Sequence, residues 1–114
     1  MQIHTEEIIR RRGLERGGRA QKFVDSEVLR YCDPMVPKRT GALIQSGIHG
    51  TVKGSGIVRY DIKYARKNYY ENGGHGAEGT ANGGKRGRLW FRRMKAQHKA
   101  AIFEGLRRIC GRSR

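Results

Sequence analysis

The sequence is poor in acid. Against 25 Lys and Arg stand only 10 Asp and Glu, a formal net charge of +15. Such an excess repels copies of the chain from one another and attracts polyanions or acidic proteins. The shortage is uneven: residues 1–34 carry seven basic and six acidic side chains, residues 35–84 seven and three, residues 85–114 eleven and one. Cysteine is scarce too. Cys32 and Cys110 lie in no metal or redox spacing and read as reduced thiols of a cytosolic product. No apolar run approaches the roughly 20 residues that span a bilayer, which predicts no membrane partner. The opening MQIHTEEIIRRR lacks the apolar core of a secretory signal. With 36% hydrophobic and 8% aromatic residues in 114, the chain predicts one domain, 1–114, around a small core. A chain of this size buries only about two-thirds of its unfolded surface, so part of its apolar surface calls for a partner subunit.

What is present predicts an α+β fold with N-terminal helices, a small antiparallel sheet built on a β-hairpin, and a long C-terminal helix. Residues 5–12 read as a short helix capped by Thr5, with Glu6 and Glu7 in its first turn. A second helix spans about Gly18 to Asp33, where Ala20, Val24, Val28 and Tyr31 form one apolar stripe widened by Phe23. Pro34 stops it and Pro37 keeps the next stretch extended. Thr40 then caps one or two helical turns. The runs 47–53 and 56–62 alternate, with Ile48 and Val52 on one face and Val58, Tyr60 and Ile62 on another; Gly54-Ser55-Gly56 joins them as a hairpin. A lone hairpin is marginal in water, so a further strand is expected from residues 1–4, from 84–89 or from a neighbouring subunit. Residues 64–71 form a short helix. Residues 73–87, with seven glycines, form a flexible loop. Leu89 to about Ile109 is the last helix, its stripe including Trp90, Met94, Ile102 and Leu106.

Catalytic chemistry finds little to stand on. The segment from Gly79 to Lys85 matches GxxxxGK, but Arg86 occupies the place where a Ser or Thr must hold magnesium, and no apolar strand precedes it. His4, His49, His75 and His98 stand in no ligand spacing, so neither a metal nor another cofactor is expected. Cys32, on a helix, reads as core. With no nucleophile and base in a definable constellation, the chain is read as a non-enzyme.

The strongest physical signal is the basic end. Lys85, Arg86, Arg88, Arg92 and Arg93 cluster where the glycine loop meets the last helix, interleaved with Trp90 and Phe91. Such interleaving occurs in nucleic-acid binders, although Trp90 and Phe91 also read as core anchors. Charge alone leaves a nucleic acid and an acidic protein as equal candidates for the partner of this cluster, and a free-standing basic nucleic-acid-binding protein is the second functional reading.

The stretch Val36-Pro37-Lys38-Arg39-Thr40-Gly41-Ala42-Leu43-Ile44-Gln45-Ser46 resembles the P-x-x-T-G-x-L-x-x-S signature of phage minor capsid and tail-completion proteins. In that family a helix precedes the signature and a hairpin follows. A Tyr-Ala element comes next, here Tyr64-Ala65, and a Trp-Phe helix start closes the set, here Trp90-Phe91. The resemblance covers roughly residues 18–106; the long loop 73–87 departs from it. It implies a structural virion protein of the head–tail neck of a tailed phage or prophage, made in the bacterial host cytoplasm. Such a protein forms a ring with neighbouring copies and joins head-closure or adaptor proteins to the tail terminator or tail tube, with genomic DNA passing its lumen. Pro37, Thr40, Gly41, Leu43, Ser46, Tyr64, Ala65, Trp90 and Phe91 are then fold-defining.

Overall fold

The computed structural model describes residues 1–5, 18–38 and 40–111, with the backbone alone for 110 and 111. Within them lie four α-helices and two short strands: β1 (Gln2–His4), α1 (Arg19–Cys32), α2 (Ala42–Gly50), β2 (Ile57–Arg59), α3 (Ala65–Glu71) and α4 (Trp90–Gly111). The class is α+β, with a long C-terminal helix as expected.

Helix α1 follows from its apolar spacing. Val24, Val28 and Cys32 recur every fourth residue and are fully buried. The helix tightens into a 3-10 turn, Asp33–Met35, with Pro34 in its first positions. Val36 then turns extended (ψ 135°), the conformation that the following Pro37 requires. Helix α4 packs antiparallel on α1. Tyr31 near the end of α1 stacks on His98 with ring centroids 4.3 Å apart, and Phe23, two turns earlier, lies against Gly105. From α4, Trp90, Met94, Ile102 and Leu106 enter the core, where they join Ile3, Val58 and Tyr60 from the sheet side. The Trp90 indole meets the rings of Tyr60 and Tyr69 edge-on, at 5.4 and 4.7 Å.

The expected hairpin is not formed. Residues 47–50 complete α2 instead of opening a strand, and only 57–59 of the second run is a strand. Its antiparallel partner is residues 2–4, with Ile3 opposite Val58. The Gly54–Gly56 turn survives: Val52 O accepts the Ser55 N–H at 3.1 Å, and Gly54 and Gly56 take φ of 98° and 81°. The reason lies at Gly47. A methyl group there would come within 2.5 Å of the Tyr60 ring, so the missing side chain is what lets α2 lie on the strand. Ile48 and Val52, read as one strand face, are 50% and 73% exposed.

The rest of the predicted helix 5–12 lies outside the described residues; Thr5 directs its hydroxyl to Asp25 of α1. The glycine-rich stretch 73–87, expected as a flexible loop, is held by backbone bonds of its own. Thr80 and Ala81 donate to Arg86 O and Gly74 O, and Arg86 donates to Glu78 O, at 2.9 to 3.0 Å.

Candidate functional site

The residues of the P-x-x-T-G-x-L-x-x-S stretch fall into two groups. Some build the fold. Gly41 caps α2 with φ 87°, a left-handed conformation that an L side chain rarely adopts. The cap is therefore Gly41 and not Thr40, the residue expected there; the Thr40 hydroxyl, one position before the cap, accepts the Ala42 N–H at 3.3 Å. Ser46 donates to Leu43 O at 2.7 Å, while Leu43, Ala65 and Trp90 are buried and Phe91 packs half-buried against the core. Four of the motif residues also meet at one groove, although Leu43 is itself buried. Pro37, Thr40, Leu43 and Tyr64 line one concave groove of about 810 Å³ between the start of α2, the helix α3 and the glycine loop, whose Gly74, Glu78 and Arg86 form the opposite wall. Tyr64 remains 43% exposed there, with its carbonyl accepting both the backbone and side-chain amides of Asn68.

The basic cluster divides as well. Arg86 turns inward and is mostly covered; its guanidinium donates to Asp33 O at 2.7 Å and Val36 O at 2.8 Å and lies 3.5 Å from Glu78. Arg93 donates to Lys85 O at 2.7 Å, Arg88 O at 2.8 Å, Gly87 O at 3.1 Å and Met35 O at 3.3 Å. Together with Gly87 N–H on Met35 O, these bonds fasten the glycine loop to the turn that ends α1. Partial burial lowers the Arg93 pKa, without discharging a group that titrates so high. Arg86 and Arg93 therefore belong to the fold, which corrects their assignment to a partner-facing cluster. Lys85, Arg88 and Arg92 are exposed.

Two buried polar groups stand out; the first went unread in the sequence, whereas the second, Cys32, was read as core and is fully buried. Asp25 is fully buried on α1 and accepts four hydrogen bonds: from the Thr5 hydroxyl, from Gln21 Nε2 at 2.9 Å, and from the backbone N–H groups of Gly54 (2.8 Å) and Gly56 (3.1 Å). One carboxylate thus ties the first strand, the first helix and the turn before β2. Its only trace in the sequence is an acid within an apolar stripe, between Val24 and Val28. The second is the Cys32 thiol beside the Tyr60 hydroxyl. Burial pushes the thiol up to about 12 and holds the phenol well above 10.0, so both are neutral and the thiol lacks the thiolate form that reacts.

His98 is half-buried in its stack with Tyr31, and Arg30 lies 4.3 Å over the other ring of that pair. Among the described residues no three His, Cys, Asp or Glu side chains gather as a metal site requires, and no helix is long and apolar enough to cross a membrane. Compared with protein-family models, curated proteins and solved structures, the chain finds no match.

Proposed function

We propose that the chain is a structural subunit of the tailed-phage neck, a minor capsid or tail-completion protein that acts as a ring between head-closure proteins and the tail tube. The observation that carries this reading is the convergence of Pro37, Thr40, Leu43 and Tyr64 on one groove. Residues of two separate sequence elements that resemble that family's make a single receiving surface, while the remaining signature residues shape the backbone around it.

A closed ring needs two different patches on each copy, since its contacts are head-to-tail. Helix α2 carries both. The groove lies at its N-terminal end, and the exposed apolar pair Ile48 and Val52 lies at its C-terminal end and just beyond. Nine helical residues separate the two by about 12 Å. A neighbour's Ile48–Val52 ridge seated in the groove propagates a ring. Val52 is 73% exposed, so Val52→Glu leaves the monomer folded. Complementation tests the reading. Particles supplied only with the Val52→Glu protein accumulate unjoined heads and tails; normal particle yield from that variant counts against the ring.

A further inference from the structure

We infer that the face made by Arg66 and Tyr70 of α3 with Phe91, Arg92, Lys95 and Lys99 of α4 binds single-stranded nucleic acid, by base stacking on Tyr70 and phosphate contact with the four cations. The inference stands apart from the neck reading and needs no ring.

The geometry begins at Tyr70. The residue is 56% exposed. It is also braced. Tyr69 meets it edge-on at 5.1 Å, and Tyr69 is fixed in turn against Trp90 at 4.7 Å and by accepting the Arg92 N–H at 3.3 Å. An exposed ring held by buried neighbours stacks on a ligand with little loss of freedom. Arg66 precedes Tyr70 by one helical turn and shares its face, and both line a concavity of about 210 Å³ with Phe91.

The cations continue from there. Phe91, Lys95 and Lys99 recur every fourth residue of α4, with Arg92 beside them, so the stripe runs along about 12 Å of helix. Arg66, Arg92, Lys95 and Lys99 are exposed, and none forms an ion pair among the described residues. By contrast Arg30, Arg59, Arg86, Arg107 and Arg108 all face carboxylates. The acid nearest in sequence, Glu71, lies a further 100° round α3 from Tyr70. A rigid aromatic face beside cations that form no ion pair among the described residues is an arrangement that binds successive bases and phosphates without reading sequence. A duplex keeps its bases stacked inside and gains only the charge; an acidic peptide offers no plane to stack.

Because any chain of charge +15 attracts polyanions, the test compares positions at equal charge. Fluorescence anisotropy of the full chain is measured against an oligothymidylate of about 16 nucleotides, a duplex of the same length and polyglutamate. Replacing Arg66, Arg92, Lys95 and Lys99 by Ala flattens the dependence of log affinity on log salt for the single strand by about 2 to 3. Replacing Arg19, Lys22, Lys38 and Lys53, which are also exposed, flattens it by less than half as much. Tyr70→Ala weakens single-strand binding about tenfold and duplex binding less than twofold. Equal losses from the two quartets, or an unaltered single-strand affinity in Tyr70→Ala, overturn the inference. Polyglutamate that competes as well as the oligonucleotide at equal charge also overturns it, in favour of an acidic protein.

Discussion

Thr5 and Asp25, twenty residues apart, are joined by a buried hydrogen bond from the hydroxyl to the carboxylate. The same carboxylate holds the amides of Gly54 and Gly56, so removal of it orphans donors on three segments at once. Asp25→Ala is expected to destabilise the chain by about 3–5 kcal/mol, because several buried donors lose their acceptor at about 1–3 kcal/mol each. Thr5→Val, which removes a single donor, costs about 1–2 kcal/mol. Urea midpoints at constant slope measure both; equal midpoints for the two variants contradict the assignment.

Arg93 and Arg86 act as staples, whereas Lys85, Arg88 and Arg92 are exposed. Arg93→Ala leaves the carbonyls of Met35, Lys85, Gly87 and Arg88 without its donors, at a cost of about 2 kcal/mol. Arg93→Lys recovers little, because an ammonium cannot reproduce the planar fork. Arg92→Ala changes stability by less than about 0.5 kcal/mol. Thermal melts of the three variants separate the roles, with Arg92→Ala close to the parent.

Alkaline pH acts on the core. The Cys32 thiol rises from 9.0 to about 12 in the folded chain, and Tyr60 is raised in the same sense. The unfolded chain therefore loses these protons first. Stability is fully present below pH 9, falls as the pH rises from there towards 12, and each fully developed pH unit costs about 1.4 kcal/mol per group. Cys32→Ala removes one of the two contributions. Urea midpoints from pH 8 to 11 test this: the parent loses stability more steeply than Cys32→Ala.

Gly47 faces the Tyr60 ring, which is 2% exposed and has no room to withdraw. Gly47→Ala gains helix propensity of about 1 kcal/mol but overpacks the contact between α2 and β2, for a net loss of about 1–2 kcal/mol. Gly76→Ala is the control, since a methyl group there meets nothing within 4 Å. Equal melting temperatures for the two variants contradict the close approach.

The two long helices were legible because their signal is local. Val24 and Val28 in α1, and Trp90, Met94 and Leu106 in α4, repeat at helical spacing and are buried. The sheet was legible only in part: residues 1–4 stood among the three sources expected for a further strand, but the pairing with β2 spans more than fifty positions, and local alternation does not choose among candidates. Ile48 and Val52 misled for a related reason: apolar residues usually mark a buried face, and these mark an exposed one. The basic cluster failed in two of its five members, Arg86 and Arg93. A run of Lys and Arg reads as solvated, and nothing in the residue types announces that the carbonyls of Met35 and Val36 stand within reach of Arg93 and Arg86. The groove was foreshadowed only as a set of motif residues whose convergence awaited the fold.

As the neck subunit proposed above, the chain would join phage heads to tails. Electron micrographs of particles assembled without it test that most directly. The neck reading predicts DNA-filled heads and complete, separate tails, rejoined when the protein is supplied. Intact tailed particles in its absence contradict the reading.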